Sequence, residues 1–205
     1  MSQTLQSFLD ALASNAPAPG GGAAAALMGA TGAALVSMVC NLTLGKPKYA
    51  EVEGDMSALR EQSEALRARL TAMMEDDQAV FRTLMSAYGL PKQTDEEKAA
   101  RKQAIQEALK RATEVPLACA RACVEAIALS REAAEKGSLQ VVSDAGVAVA
   151  AAEAGLKSAA LNVWINVPSI EDKAFAEGAS KAIAALIDAG GEDGAAVYAL
   201  VKSKL

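Results

Sequence analysis

Asp77 is an acidic residue on an apolar stripe. A seven-residue series runs through Met56, Ser63, Leu70, Asp77 and Leu84 and predicts one face of a long helix. A carboxylate on such a face costs free energy unless it is paired or hydrogen-bonded. It suits a desolvated acid or base, or a counter-ion for a cationic ligand. The structural alternative is a salt bridge inside the protein, or an uneven apolar stripe near a loose end of the helix.

A second acidic candidate, Asp144, follows Ser143 at the start of another helical segment. Ser or Asp at this position commonly caps the free N–H groups of a helix and suits the positive end of its dipole. That structural interpretation stands beside the functional one, in which Asp144 is a second reactive carboxylate.

Asn162 and Asn166 lie one helical turn apart on one face of the same segment. Asp144 shares that face, but five turns separate it from Asn162, which corresponds to about 27 Å along an unbroken helix. The two ends cannot serve one pocket within a single subunit. Either they do different jobs, or a symmetric partner subunit brings a second copy close.

A glycine-rich turn, Pro19-Gly20-Gly21-Gly22, precedes a helical segment that starts at Ala23. Glycines leave backbone N–H groups accessible, and the start of a helix attracts anions and polar groups. No Gly-Lys-Ser/Thr follows and no strand precedes, so neither a Walker loop nor a dinucleotide-binding turn is indicated. A carboxylate or a polar ring edge fits this turn best.

The segment between Ala16 and Gly45 carries no charge and is long enough to cross a bilayer. However, Ala and Gly dominate it, polar residues interrupt it, and it lacks an aromatic belt. We therefore predict that Ala23 to Leu44 is a buried helix of a bundle rather than a membrane span.

Apolar spacing predicts helices along the rest of the chain, and no strand pattern occurs. Thr94 and Glu97 form a capping box, and Pro116 is expected to kink the helix that follows. We predict an all-α, single-domain bundle of long helices over residues 1–205, with a buried Ala/Gly-rich helix. The further predicted helices span residues 4–13, 52–88, 95–136, 143–166, 174–188 and 192–204.

Composition excludes several functions. The net charge is −5, and no basic patch with interleaved aromatics is present, so nucleic-acid binding is not expected. The absence of histidine excludes a His-based triad or a His metal site, and three cysteines are typical of reduced thiols rather than a zinc site. Residues 1–10 contain no export signal, so a cytoplasmic protein is expected.

Four stretches together resemble the cyclodeaminase/cyclohydrolase family of folate enzymes. They are PAPGGGAAAALMGATGAALVSMVCNLTLGKPKY, DDQAVFRTLMSAYGLP with TDEEKAAR after it, ATEVPLACA, and VVSDAGVAVAAAEAGLKSAALNVWIN. The residues of these stretches are most similar to those of the stand-alone methenyltetrahydrofolate cyclohydrolases of methylotrophic bacteria.

The resemblance implies an all-helical homodimer that binds a tetrahydrofolate derivative, polyglutamylated or not, and that uses no other cofactor and no metal. It implies hydrolysis of 5,10-methenyltetrahydrofolate to 10-formyltetrahydrofolate. One alternative is closure of 5-formimidoyltetrahydrofolate with release of ammonia. Another is a non-catalytic folate-binding helical protein.

The resemblance also suggests roles for individual residues. The family has an acid four residues before an aromatic, matched by Asp77 and Phe81, and an acid in its SDA stretch, matched by Asp144. Either carboxylate is a candidate base, and Lys46 and Lys48 suit the carboxylates of the folate tail. The expected substrate-binding residues are Pro19, Gly20, Gly21, Gly22, Asn41, Lys46, Lys48, Ser143, Asn162 and Asn166.

Overall fold

Six α-helices joined by short turns make up the fold in the computed structural model, which describes residues 4–205. No strand occurs within that range, so the predicted all-α class is confirmed. Single 3-10 segments cover Pro47–Val52, Leu139–Val141 and Val167–Ser169. The α-helices are α1 (Leu5–Leu12), α2 (Gly21–Asn41), α3 (Glu53–Tyr88), α4 (Asp95–Lys136), α5 (Val142–Asn166) and α6 (Lys173–Ser203).

Local capping fixes where two helices begin. Thr4 accepts the Ser7 N–H at 3.1 Å and starts α1. The predicted capping box starts α4, because the Thr94 hydroxyl accepts the Glu97 N–H at 3.1 Å and Glu97 Oε2 accepts the Thr94 N–H at 3.2 Å. α4 then continues through Pro116 to Lys136.

Helix α6 corrects one prediction, because residues 174–188 and 192–204 belong to one continuous helix. The glycines between them suggested a break. Gly190 is instead buried against Leu156 of α5, and a Cβ at Gly190 would overlap that side chain. The glycine allows close packing between α5 and α6 and does not end the helix.

Helices α2 and α5 run antiparallel with their backbones nearly touching. A Cβ at Gly155 would lie 2.9 Å from the Ala25 carbonyl oxygen and 3.0 Å from the Gly29 nitrogen. Gly21, at the start of α2, lies beside Asn162 near the end of α5. Small residues therefore place the start of α2 against the end of α5.

Helix α2 packs against α3 on one side and α5 on the other, with α4 behind it. α6 packs against α5 and α4. The front of the molecule is therefore a row α3–α2–α5–α6, and α4 lies behind that row. The predicted buried Ala/Gly-rich helix is confirmed, although α2 starts at Gly21 and ends at Asn41.

Two segments are long and apolar enough to cross a bilayer by those criteria alone, namely Gly21–Asn41 and Leu139–Ser169. Within the protein, 61% of the first apolar window and 44% of the second are buried by other helices. Core packing thus accounts for much of the apolar surface of α2 and for less of that of α5.

The three cysteines, Cys40, Cys119 and Cys123, are free and buried. Each packs in the main core as a small apolar side chain. Desolvation raises the pKa of the Cys40 thiol to about 11, so that group stays protonated at neutral pH.

Candidate active site at the start of helix α2

Asp77 of α3 meets the first turn of α2. Its Oδ2 accepts the Ala23 N–H at 2.9 Å. The residue before the helix, Gly20, has no side chain with which to cap it, so Asp77 supplies the cap from a neighbouring helix. This contact explains how the chain tolerates an acid on its apolar stripe.

Gly22 makes room for the Asp77 carboxyl. A Cβ at Gly22 would overlap that carboxyl group, whereas a Cβ at Gly21 would lie 3.5 Å and 3.7 Å from the amide atoms of Asn162. The glycine turn therefore lets two polar side chains, Asp77 from α3 and Asn162 from α5, approach the start of α2 from opposite sides.

Burial raises the pKa of the Asp77 carboxyl, and the Ala23 N–H opposes that rise. Oδ2 is engaged with Ala23, while no hydrogen bond to Oδ1 is formed by residues 4–205. None of the ion pairs in that range involves Asp77 either, so the salt-bridge alternative is wrong. The carboxyl has one oxygen held in place and one able to accept a proton.

The two asparagines have different environments. Asn162 Nδ2 donates to the Ser158 carbonyl at 2.8 Å. Asn166 Nδ2 donates to the Ala112 carbonyl at 2.8 Å and to the Asn162 carbonyl at 3.0 Å. The Ala112 carbonyl is the one that the missing N–H of Pro116 would leave without its helical partner. Asn166 therefore supplies the hydrogen bond that Pro116 cannot donate within α4. Asn162 is the asparagine that borders the glycine turn.

A groove of about 450 Å³ lies beside the site, one turn further along α3. Phe81, one helical turn from Asp77, forms part of its wall, and Arg82 adds a cation. Phe81 was predicted from the sequence as a motif residue and Arg82 was not, although the adjacent Phe-Arg pair was a usable signal. The lining residues are Pro17, Ala18, Phe81, Arg82, Met85 and Ser86.

The other predicted residues lie at the opposite end of the molecule. Asn41 ends α2, and Ser143 and Asp144 occupy the first turn of α5. Among residues 4–205 no side chain caps α5, which has Val141 at its N-cap, so the predicted capping hydrogen bond of Ser143 or Asp144 is wrong. Asp144 does lie in the first turn, where the sequence predicts that an acid suits the helix dipole. Lys48 is exposed beside this end.

Lys46 is held in place at that same end. Its Nζ donates to Gln140 Oε1 at 3.2 Å and to Ser138 Oγ at 3.4 Å, in the turn before α5. The Thr43 hydroxyl in turn accepts the Ser138 N–H at 2.8 Å. These bonds tie the segment after α2 to the start of α5 and fix the lysine there.

Tyr49 also lies at this end, although no role was predicted for it from the sequence. Its phenol oxygen accepts the Leu139 N–H at 3.0 Å. Hydrogen bonds to Ser138 and Leu139, with Lys48 and Lys46 nearby, hold the pKa of the Tyr49 phenol below its usual value. The GKPKY stretch could have indicated a role for Tyr49, since a tyrosine beside two lysines is a candidate polar group of a site.

The predicted residues thus form two groups, which we name the glycine-turn group and the lysine group. The first comprises Pro19 to Gly22, Asp77 and Asn162, and the second comprises Asn41, Lys46, Lys48, Ser143 and Asp144. The length of α2 separates them by about 30 Å. Within residues 4–205, no cluster of acidic or cysteine side chains suited to a metal ion occurs.

Comparison with known sequences identifies a family and a near-full-length relative. The family described as formiminotransferase-cyclodeaminase matches residues 4–185. A protein of Methylorubrum extorquens named methenyltetrahydrofolate cyclohydrolase is 59% identical over 203 residues, which cover 99% of this chain and 98% of that protein.

Two further similarities have names that refer to cyclodeamination. The formimidoyltransferase-cyclodeaminase of Rattus norvegicus is 35% identical over 184 residues, and this chain spans about a third (34%) of its length. A crystal structure of a formiminotetrahydrofolate cyclodeaminase from Thermotoga maritima superposes with a TM-score of 0.82 at 30% identity, over 99% of this chain and 96% of that one.

Proposed function

This chain belongs to the formiminotransferase-cyclodeaminase family, and we propose that it is the methenyltetrahydrofolate cyclohydrolase of its cell. It converts 5,10-methenyltetrahydrofolate and water to 10-formyltetrahydrofolate and a proton. The relative named for this activity matches over nearly its whole length, so the similarity includes every element that forms the candidate site.

The observation that carries a mechanism is the Asp77 carboxyl, desolvated and fixed at the start of α2. The methenyl bridge is an amidinium cation, which a nearby carboxylate attracts. Water adds to the bridge carbon and forms the new C–O bond, while Asp77 Oδ1 takes one of its protons. The hydroxyl of this adduct then loses its proton as the C=O bond forms and the N5–C bond breaks. N5 keeps the electron pair and receives a proton, the formyl group remains on N10, and Asp77 releases the proton it took to solvent.

The surroundings of Asp77 suit the folate. We propose that the Asn162 amide and free first-turn N–H groups of α2 bind the polar edge of a pterin ring, because Asn162 borders the start of that helix. The groove lined by Phe81 and Arg82 lies next to them and offers an aromatic wall and a cation. The reaction as proposed requires no metal and no cofactor beyond the folate.

We assign the protein to the cytoplasm, and we propose that it acts as a homodimer. The second proposal is supported by exposed apolar residues on α5, where Leu161 is 65% and Ile165 is 74% exposed. Lys46 and Lys48 lie about 30 Å from Asp77 of the same chain, so we propose that they contact the glutamate tail of a folate bound to the partner subunit, whether it carries one glutamate or several.

Closure of 5-formimidoyltetrahydrofolate with release of ammonia is a second candidate function. The Thermotoga maritima protein with the same fold over nearly the whole chain is named for it. Both reactions pass through a tetrahedral carbon between N5 and N10, so one site is able to serve either. The 59% identity to the protein named cyclohydrolase favours hydrolysis.

The decisive experiment follows the absorbance of 5,10-methenyltetrahydrofolate with purified protein, in a buffer where spontaneous hydrolysis is slow. We expect a protein-dependent loss of the chromophore and 10-formyltetrahydrofolate as the product. No acceleration would reject the cyclohydrolase. Ammonia released from 5-formimidoyltetrahydrofolate would then support the second candidate, and binding without turnover would support a folate-binding protein.

Asp77→Asn tests the base, with Asp76→Asn as its matched control. Asp76 is the exposed neighbour, so both variants lose one negative charge from the same turn of α3. Asn at position 77 retains an oxygen that can accept the Ala23 N–H but cannot take the proton. We expect kcat to fall about 100-fold or more in Asp77→Asn and to stay unchanged in Asp76→Asn. Equal activity of the two variants would remove Asp77 from the mechanism.

A further inference from the structure

Helix α1 is held against the rest of the protein mainly by one side chain. Phe8 is 3% exposed, and it is the single buried residue of the helix. Other apolar residues of the same stripe are less well covered, since Leu5 is 62% and Leu9 is 45% exposed. Phe8 lies outside both hydrophobic clusters that form the core of residues 4–205. The helix is therefore docked on the surface of the bundle and is not part of its core.

Polar contacts do not reinforce this docking. Thr4 caps α1, and Gln6 Nε2 donates to Asp10 Oδ1 at 2.8 Å, so these hydrogen bonds stay within the segment. Across the described residues, no hydrogen bond or ion pair joins residues 4–18 to the rest of the chain. A helix of eight residues is too short to be stable alone in water, so α1 should unfold when Phe8 leaves its position.

Phe8 borders a cavity of about 340 Å³ between α1 and the two helices beneath it. Leu27 of α2 lines this cavity, and so do Met74 and Gln78 of α3. Side chains that border an empty space lose contacts that a filled core would provide. The contact between α1 and the bundle is therefore looser than the contacts within the core.

This cavity lies next to the proposed catalytic carboxyl. Gln78 follows Asp77 directly in α3, and Met74 precedes it by about one helical turn. Leu27 lies about one turn after Ala23, whose N–H donates to Asp77 Oδ2. Helix α1 therefore covers one flank of the candidate active site.

The segment between α1 and the glycine turn forms part of the groove that lies beside the site. Pro17 and Ala18 line that groove together with Phe81 of α3. Residues 13–17 are exposed, whereas Pro19 is buried. One end of the segment is thus fixed at Pro19, and the other end is fixed only through the docking of α1.

We propose that residues 4–18, which we name the strap, close over bound folate and open to admit and release it. In the open state Phe8 leaves its position, and the wall formed by Pro17 and Ala18 moves away from the groove. In the closed state the wall is in place, and Phe8 shields the flank of Asp77 from water. The inference rests on the function proposed above, because folate is the ligand on which the strap closes.

Folate binding and closure of the strap are linked in this arrangement. Folate in the groove contacts a wall that is present only when the strap is closed, so folate binds the closed state better than the open state. By the same linkage, bound folate stabilises the docked form of α1. Loss of the Phe8 contact should therefore weaken folate binding, even though Phe8 does not line the groove.

Hydrogen exchange followed by mass spectrometry tests the strap in the wild-type protein without an assay of activity. The amides of α1 are expected to exchange at least about 100-fold faster than those of α2, because opening of the strap leaves the bundle folded. Saturating 10-formyltetrahydrofolate, the proposed product, is expected to slow exchange in α1 about tenfold or more. Exchange in α1 that is as slow as in α2, or that does not change when folate is bound, would overturn the proposal.

Phe8→Ala removes the buried contact, and Leu9→Ala is its matched control at an exposed position of the same helix. Because Phe8 lies outside the core, circular dichroism should show a folded bundle in both variants. We expect Phe8→Ala to raise the Kd for 10-formyltetrahydrofolate about tenfold, mainly through faster dissociation, and Leu9→Ala to change it less than about twofold. Equal affinities of the two variants would show that docking of Phe8 is not linked to binding and would reject the strap.

The proposed function and the strap fail in different ways. An enzyme that hydrolyses methenyltetrahydrofolate, but whose exchange in α1 is unaffected by bound folate, would retain the function and reject the strap. A protein that catalyses no hydrolysis, but whose α1 is protected by bound folate, would reject the function and retain the strap.

Discussion

At the scale of single residues, the site depends on the absence of a side chain at Gly22, which leaves room for the Asp77 carboxyl group. Asp77 reaches the Ala23 N–H only because Gly22 has no Cβ. A Cβ at Gly21, one position earlier, would make only ordinary van der Waals contacts with Asn162. The sequence marked the three glycines and the acid separately, but it could not pair them, because 54 residues separate Asp77 from Ala23.

Gly22→Ala and Gly21→Ala therefore form a matched pair of variants. In Gly22→Ala the new methyl group displaces the Asp77 carboxyl, and a displacement of about 1 Å is expected to reduce kcat about 100-fold. In Gly21→Ala the methyl group makes ordinary contacts with Asn162 and leaves Asp77 in place, so kcat is expected to change little, and any loss of folate binding is measured by KM. Circular dichroism should show helical structure in both. Equal rates in the two variants would contradict the assigned geometry.

The raised pKa of Asp77 has a consequence for stability. A carboxyl whose pKa is higher in the folded than in the unfolded state adds stability below its unfolded pKa of about 3.9 and loses that contribution as pH rises through the folded pKa. Asp77→Asn has no such group. Its free energy of unfolding relative to wild type should therefore increase between about pH 4 and neutrality.

Urea unfolding of wild type, Asp77→Asn and Asp76→Asn at several pH values measures this difference. Asp76 is exposed, so the Asp76→Asn curve should follow that of the wild type. A difference between Asp77→Asn and wild type that is constant with pH would mean that burial does not raise the pKa of Asp77. Activity should also decline as the pH falls through that pKa, because the base becomes protonated.

At the scale of elements, the predicted helices were found where apolar spacing and capping residues agree. The Thr94 capping box and the Ala/Gly-rich helix are examples. The predictions failed where a breaker residue serves packing instead. Gly190 continues α6 because Leu156 fills the space beside it, and no local rule indicates a partner so distant in sequence.

Pro116 gives a testable case of such a distant partner. Asn166→Ala leaves the Ala112 carbonyl without a donor and is expected to lower the free energy of unfolding by about 1–3 kcal/mol. In a Pro116→Ala background, the new N–H at position 116 bonds the same carbonyl. The cost of removing Asn166 should then be clearly smaller.

A double-mutant cycle measured by urea unfolding gives the coupling between the two positions. Thr113→Ser is a suitable control, because its buried hydroxyl keeps the bond to Leu109 within the same helix. Additive effects of Asn166→Ala and Pro116→Ala would show that the asparagine does not compensate for the proline.

At the scale of the whole molecule, the predicted site residues divide between the two ends of the α2–α5 pair. Spacing along one helix was sufficient to predict that Asp144 and Asn162 cannot share a pocket. Two explanations remained open from the sequence: the two ends have different roles, or a second subunit brings them together. The choice depends on which surface of α5 is exposed. The exposed surface is a property of the folded chain.

Leu161→Asp tests that exposed surface. Leu161 is 65% exposed, so the monomer should fold with little change, whereas a buried charge in the dimer should prevent association. We expect a monomer by sedimentation and a loss of activity of about tenfold or more. Leu90→Asp, at an exposed apolar position after α3, should remain dimeric and active. A dimeric, active Leu161→Asp protein would contradict the interface.

The close contact of α2 with α5 also has a consequence for biosynthesis. Gly29 is synthesised early, but the Gly155 surface that covers it emerges from the ribosome much later. Until then, an uncharged helix has no partner on that side, and the loop that must close is long, which slows folding. The nascent chain should therefore need protection by a chaperone until α5 has emerged, and ligand binding at the glycine turn should be among the last properties to appear.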